Sequence, residues 1–596
     1  MIRPCMPGRF GLWRRTSVIP SWSTTRRNRY SSTQTQTAPT THDSPVKPYY
    51  VTTPIFYVNA DILARYARLR HPKTPVRFAT GTDEHGLKIQ QAAEKLGTEP
   101  QVFCDRISER FRELAKVANA SNTDFIRTTS AEHKRAVQHL WRTIEQAGYI
   151  YKGSHSGWYA VSDECFYTES QIEERRDETT GEMRNVAIES GSSVEWTEEE
   201  NYKFRLGAFK ERLIDWLETS ETSVHPTWLR ASLLNTLRTE PLADLSISRP
   251  RSRLTWGIPV PGDEENHTIY VWVDALTNYL TVLGYPWVEG EGSAQENARI
   301  GREMGWPADV HVVGKDIVRF HAIYWPALLM AASLPPPRQV LAHAHWTMGN
   351  AKMSKSRGNV ADPIEAMQRP GGVGVDGLRW YLMRNGGSLS NDADYSNEEL
   401  QKQYSLLATR LGNLVGRISS PKIQKRFLAA AENALRDGSP MLTSTADAPE
   451  QLLSDMLVGL RDTLERRLTK LEITAGMQDV MDVVLEANRL FTLFQPWSST
   501  TSEADLITAM VYAHGSLRIT GIALQPVMPT KMKDLLDRLG VEEGDRGWDR
   551  LQLDAGVEQM RDVLRCVRVM MDRAKDLKKA GVLFPPLAEE PTSGPS

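Results

Sequence analysis

A chain of 596 residues with 40% apolar and 24% charged residues is too long for one core and describes two to four globular domains. A formal net charge of −2 offers no chain-wide attraction for nucleic acid, no uninterrupted apolar stretch is long enough to span a bilayer, and four scattered cysteines (Cys5, Cys104, Cys165, Cys566) fit neither a disulfide scaffold nor a paired-thiol zinc site. A membrane-spanning helical protein and a disulfide-stapled secreted domain are thereby excluded.

The first 46 residues carry seven arginines (Arg3, Arg9, Arg14, Arg15, Arg26, Arg27, Arg29) and one acid, Asp43, among many Ser and Thr. An Arg-rich, acid-poor start without an apolar central block predicts a mitochondrial transit peptide over 1–46, and its removal leaves the remainder at −8. From Pro48 to about Asn385 strands and helices alternate. "TTPIFYVNADILARYARLR" (Thr52 to Arg70) opens as a β-branched and aromatic run and becomes a helical pattern, predicting a first strand that enters its helix at Tyr57–Asp61 without a glycine turn. "VRFATGTDEHGLKIQQAAEKLG" predicts a strand at Val76–Ala79, a turn, and a helix that stops at Gly97; "DVHVVGKDIVRFHAIYWPALLMAAS" repeats the order. The repetition predicts an α/β doubly wound, Rossmann-like parallel sheet with ligands at the carboxyl ends of its strands. At about 149–254 the composition turns polar and turn-rich, which predicts an inserted subdomain. After Ser396 the pattern is almost wholly helical and predicts an α-helical bundle.

"GNAKMSKSRGNV" (Gly349 to Val360) sets Lys352, Lys355 and Arg357 between glycines, directly after the apolar run "QVLAHAHWTM". Flexible ammonium groups on such a loop suit a reaction that must neutralise charge growing on a triphosphate. Taken alone, a basic Gly/Ser loop is more often just a solvated surface. Lys352-Met353-Ser354-Lys355-Ser356 matches the lysine signature of class I aminoacyl-tRNA synthetases letter for letter.

"LSISRPRSRLTWGIPVPGDEENHTIYVWVDALTNYL" (Leu245 to Leu280), "GTDEHGLKIQQAA" and "GKDIVRFHAIYWPALLMA" resemble methionyl-tRNA synthetases of the bacterial and mitochondrial branch, over about Pro48 to Leu587. The resemblance implies a class I catalytic domain at 47–395, with the connective insert at about 149–254 and the lysine loop at 349–360, a helical anticodon-binding domain at 396–587, and a disordered tail at 588–596. It also implies a His-x-Gly-His motif for ATP after the first strand. Here "YVNA" runs straight into "DILARYARLR", so that motif is missing between Ala60 and Asp61.

The implied site is carried over by position. Lys352 and Lys355 are catalytic; Gly314, Asp316, Lys352, Ser354 and Lys355 bind ATP, which arrives with Mg2+ as a substrate. Ile55, Tyr57, Asp83, Trp272, Ala275, Leu276, Tyr279 and His321 form the methionine pocket, Asp83 holding the amino group; aromatic edges suit a thioether. Without the resemblance Asp83 reads as a helix N-cap, Trp272 and Tyr279 as core packing, and Gly314–Asp316 as a plain turn. Asn413, Arg417 and Trp497 read the tRNA anticodon, the indole stacking on a splayed base. Arg561, Arg565, Arg568 and Lys575 are either a solvated face or a tRNA-backbone strip. Only Cys165 stands where many relatives pair cysteines, so no structural zinc is expected. The implied function is ATP-dependent joining of methionine to tRNA(Met) in the mitochondrial matrix, by a monomer without membrane contact. The rival is a catalytically silent tRNA-binding homologue lacking the histidine motif.

Overall fold

The structure, a computed structural model, describes residues 54–161, 165–167, 169–176, 183–188, 191–288, 294–349, 351–352, 363–369, 371–386, 392–437, 448–553 and 556–588. The expected transit peptide, most of the lysine loop and the end of the tail lie outside these residues. The chain divides into two compact units. The first holds His71–Lys116 and Ser121–His345; the second holds the helix Pro54–Arg70, Val117–Ala120 and the chain from Trp346 onward.

In the first unit the strand Ala79–Thr82 pairs in parallel with Asp124–Arg127, after a crossover through the helices Leu87–Lys95 and Pro100–Val117. The strand lies three residues beyond its expected start. Ala, Thr and Gly carry little strand propensity, so the sequence pattern points instead to the bulkier residues upstream. Gly81 is required by the pairing itself, because a Cβ there would stand 2.0 Å from the carbonyl oxygen of Ile126. A second parallel sheet runs in the order Val310–Gly314, Gln339–His343, Val224–His225. The expected single doubly wound sheet is thus realised, among the described residues, as two parallel pieces. Between them in sequence sits an antiparallel sheet of Cys165–Tyr167, Ile150–Ala160, Glu195–Phe204 and Leu245–Ser246, followed in part by the helices Lys210–Thr219 and Thr227–Thr239. The chain returns to the parallel sheet at Val224, inside the span read as the insert.

The core of this unit lies where the helices Ala131–Gln146, Val271–Thr281 and Trp325–Ala331 pack together with the buried strand Val310–Gly314. Ser130 caps the first of these, its hydroxyl accepting from the His133 N–H.

The second unit is helical. Glu503–Leu524 is buried on nearly every side, as an all-round apolar sequence demands, and Ile473–Phe494, Pro421–Asp437 and Pro529–Arg538 pack on it. A small sheet of Trp346–Met348, Ala351–Lys352 and Ala393–Asp394 precedes the bundle.

Pro54–Arg70 corrects one expectation. The stretch read as a first strand is helical from Pro54, a residue suited to a first helical position. Tyr57, Val58, Ala60, Ile62, Leu63, Ala64, Tyr66 and Ala67 are all buried, and the Tyr66 hydroxyl donates to the Ala523 carbonyl at 2.9 Å. Strand propensity is worth about 1 kcal/mol across its whole scale, while burying one large apolar side chain contributes about 1.5–3 kcal/mol. With no turn to break the run, helical packing wins.

Candidate functional site

The helix Val271–Thr281 builds the centre of the first unit's site. Its positions 272 and 275 are half-buried, whereas Leu276 and Tyr279 are buried. Tyr279 reaches His321, its hydroxyl 2.8 Å from Nε2, and His321 Nδ1 stands 2.9 Å from the Ile317 carbonyl. A carbonyl can only accept, so Nδ1 carries the proton and Nε2 accepts from Tyr279. Burial pushes the His321 pKa down to about 4, which keeps this imidazole neutral. His321 sits in the π-helical turn Phe320–Tyr324, a widening that is frequent at functional sites. Trp272 stacks on Phe320 at 3.7 Å between ring centroids, and Tyr279 stacks on the buried His311 at 3.8 Å. Trp272, Tyr279 and His321 are therefore brought together as an uncharged aromatic wall. Leu276 belongs to the core behind it.

Asp83 is half-buried in the turn after Ala79–Thr82. The helix that follows is capped by Gly86 without any side-chain hydrogen bond, which removes the N-cap reading of Asp83. Two residues on, His85 Nδ1 lies 2.6 Å from Asp274 Oδ2, on the same helix as Trp272 and Tyr279. This link joins Asp83's turn to the aromatic wall. It was invisible in the sequence, because the partners are 189 residues apart and no local pattern pairs them. Gly314 closes a fully buried strand, and Asp316 in the next turn pairs with His345 at 3.2 Å.

Ile55 and Tyr57, expected on a strand lining the methionine pocket, fall instead in the helix Pro54–Arg70 of the second unit. In that unit Lys352 pairs through its backbone with Thr347 at the foot of the lysine loop. Ser354 and Lys355 lie outside the described residues. Asn413 is exposed and Arg417 half-buried one helical turn later, directly after the π-helical turn Ala408–Gly412. The Arg417 guanidinium rests 5.0 Å from the Trp497 ring centroid and 4.9 Å from that of Phe491, and donates to Thr492 Oγ1 at 3.0 Å. Trp497 keeps 41% of its surface exposed, so an aromatic ring with a cation beside it is partly open to solvent. Arg561, Arg565 and Arg568 are engaged by Glu558, by Glu542 and Asp545, and by Glu432 respectively, which favours the solvated-face reading of that helix.

Among the described residues no group of three or more His, Cys, Asp or Glu stands together as a metal site, and no helix is long and apolar enough to cross a membrane.

A family model described as tRNA synthetases class I (M) matches residues 51–419. A relative from Neurospora crassa, named probable methionine–tRNA ligase, mitochondrial, is 44% identical over 542 residues, covering 87% of this chain and 84% of its own. The human protein named methionine–tRNA ligase, mitochondrial, is 41% identical over 526 residues, covering 84% and 85%. A crystal structure of Mycobacterium tuberculosis methionyl-tRNA synthetase bound by methionyl-adenylate is similar with a TM-score of 0.73 at 33% identity, covering 91% of this chain and 98% of that one.

Proposed function

The chain belongs to the methionyl-tRNA synthetases of class I, and from that premise we propose that it activates methionine with ATP and charges mitochondrial tRNA(Met) for organellar translation. The observation that carries the reading is the Trp272–Tyr279–His321 wall tied through His85 to the turn bearing Asp83. A neutral wall of rings suits a thioether, whose sulfur packs against ring edges at about 0.3–1.5 kcal/mol per contact. A carboxylate at Asp83 suits the ammonium of an amino acid. The carboxylate of bound methionine attacks the α-phosphate of ATP and pyrophosphate leaves; a ribose hydroxyl of the terminal tRNA adenosine then attacks the methionyl carbonyl of the adenylate, the bond from that carbonyl carbon to the phosphate oxygen breaks and AMP leaves. ATP enters as its magnesium complex, a substrate. Gly314 and Asp316 hold its ribose. Lys352 and Lys355, with Ser354, close over the phosphates and offset the charge that grows as pyrophosphate departs. Orientation and charge stabilisation are the protein's share of the rate.

The domain reading is a catalytic part at 47–395 and an anticodon-binding part at 396–587, with Asn413, Arg417 and Trp497 as the reading face. The rival of a catalytically silent tRNA-binding homologue finds no support in these relatives, which are named as ligases. The direct test is methionine-dependent charging of a mitochondrial tRNA(Met) transcript by the purified chain. Charging of another amino acid in preference to methionine would refute the assignment.

Trp497→Ala should lower kcat/KM for tRNA charging by roughly 10- to 100-fold, as expected for one lost base stack, while methionine-dependent ATP–pyrophosphate exchange stays unchanged. An equal fall in both reactions would show that Trp497 does not read the anticodon.

The relatives are named as mitochondrial proteins, and the arginine-rich composition of residues 1–46 supports a proposed location in the matrix. Residues 1–46 fused to a fluorescent reporter should carry it into mitochondria and be cleaved there. Reporter that stays in the cytosol would sink this prediction.

A further inference from the structure

Asp83, Glu84 and His85 stand in succession, and the two that follow Asp83 are buried and fastened in different directions. Glu84 receives both the Nε and Nη2 groups of Arg127, at 2.7 and 3.0 Å, and the Thr82 hydroxyl at 2.6 Å. Its own N–H donates to Thr128 Oγ1 at 2.9 Å, and its carbonyl accepts from Trp256 Nε1 at 2.6 Å. The bonds with Arg127, Thr82 and Thr128 hold the turn to its own sheet, and the Trp256 bond ties it to the segment ahead of the strand His267–Ile269.

His85 points the other way. It meets Asp274 Oδ2 at 2.6 Å, the second oxygen of Asp274 meets His133 Nε2 at 2.7 Å, and His133 Nδ1 meets Thr281 Oγ1 at 2.9 Å. Asp274 and His133 are fully buried and His85 nearly so. Burial alone would raise the Asp274 carboxyl, yet the charges and hydrogen bonds of His85 and His133 hold it at about 2, so it remains a carboxylate. Charge-assisted hydrogen bonds in a dry interior are short and strong, and they fix the groups they join. Asp274 lies on the helix Val271–Thr281 between Trp272 and Ala275, and His133 ties that helix at two points, Asp274 and Thr281, to Ala131–Gln146.

We infer that His85, Asp274 and His133 form a positioning network that sets the separation between the Asp83 carboxylate and the Trp272–Tyr279 wall, and so determines which amino-acid side-chain length the site accepts. The inference rests on the reading of methionine as substrate, with its ammonium at Asp83 and its thioether at the wall. None of the three need touch the substrate; they act through Asp83 and the helix.

The test is L-methionine binding to the full chain, read by quenching of intrinsic tryptophan fluorescence. His85→Ala should weaken binding about tenfold or more, the scale of one lost hydrogen bond to a charged group. Asp274→Asn, which keeps the shape and removes the charge, should reproduce the loss even if the alanine variant folds poorly. His85→Asn, whose amide can donate in place of Nδ1, should recover most of the affinity. In an Asp83→Asn background His85→Ala should cost less than about twofold more, because two residues acting through one contact are not additive. No loss in His85→Ala and Asp274→Asn, additive losses with Asp83→Asn, or no recovery by His85→Asn would overturn the network. A chain that binds no methionine before any substitution would overturn the substrate reading, and this inference with it.

Discussion

Methionine-dependent ATP–pyrophosphate exchange by this chain is expected to run at least ~100-fold slower than by the same chain carrying a His-x-Gly-His segment between Ala60 and Asp61. The family resemblance puts that motif after the first strand, where a turn would present backbone N–H groups and two imidazoles to the phosphates of ATP. Here no such string occurs anywhere in the sequence, and the flanking residues run as one unbroken helix from Pro54 to Arg70. Removing one preorganised donor commonly costs about 100- to 1,000-fold in rate, and this chain lacks several at once. On the proposed assignment, Lys352 and Lys355 would stabilise the departing pyrophosphate without their counterpart. Exchange in the extended chain should therefore collapse again when Lys355→Ala is added, because both halves of the clamp are needed. Methionine binding should change far less between the two forms, since Asp83, Trp272, Tyr279 and His321 lie outside the altered segment. Equal exchange rates in the two chains would refute this account of the motif.

The second large effect concerns stability. Asp61→Ala should destabilise the second unit by about 3–5 kcal/mol, the usual consequence of leaving a buried charge unpaired. Asp61 Oδ2 lies 2.6 Å from Arg379 Nη2, and both side chains are essentially inaccessible to solvent. The Arg379 guanidinium also donates to the carbonyls of Ala118, Pro526 and Val527 at 3.1, 2.8 and 2.8 Å, so it cannot swing out to water without breaking three more bonds. Arg65 completes the cluster, 2.7 Å from the same Asp61 oxygen, but its side chain keeps 23% of its surface exposed. Arg65 also donates to the Asn119 carbonyl at 2.8 Å, and Arg65→Ala should cost less than Asp61→Ala, about 1–2 kcal/mol, because the Asp61 carboxylate keeps Arg379. Urea unfolding followed by circular dichroism at the helical band measures both. Losses of similar size in the two variants would show that burial does not set the cost here.

The same cluster explains a limit of sequence reading. In the sequence Asp61 only opens the helical pattern "DILARYARLR", and nothing within a window of neighbours reveals that its partner is Arg379, 318 residues later. For the same reason the sequence pattern places the strand at Ala79–Thr82 too early: its identity comes from the ladder with Asp124–Arg127 and the close approach at Gly81, not from residues with strand preference. The helical second half was legible from its 3.6-residue period, because Glu503–Leu524 and its neighbours bury whole faces of continuous helix.

What the amino-acid sequence determined by itself was therefore everything that depends on local pattern or on short strings of chemistry. It determined the alternation of strands and helices, the helical bundle, the family through the lysine signature and its companion segments, and the histidine motif's absence. The tertiary structure alone decided what depends on distant partners: the helical state of Pro54–Arg70, the neutral tautomer of His321 against Tyr279, the stack of Arg417 on Trp497, and the His85–Asp274–His133 link. The physical reason is range. Periodicity and motifs act over a few residues, whereas burial and paired polar groups gain their strength only when segments far apart in the chain close on one another and exclude water.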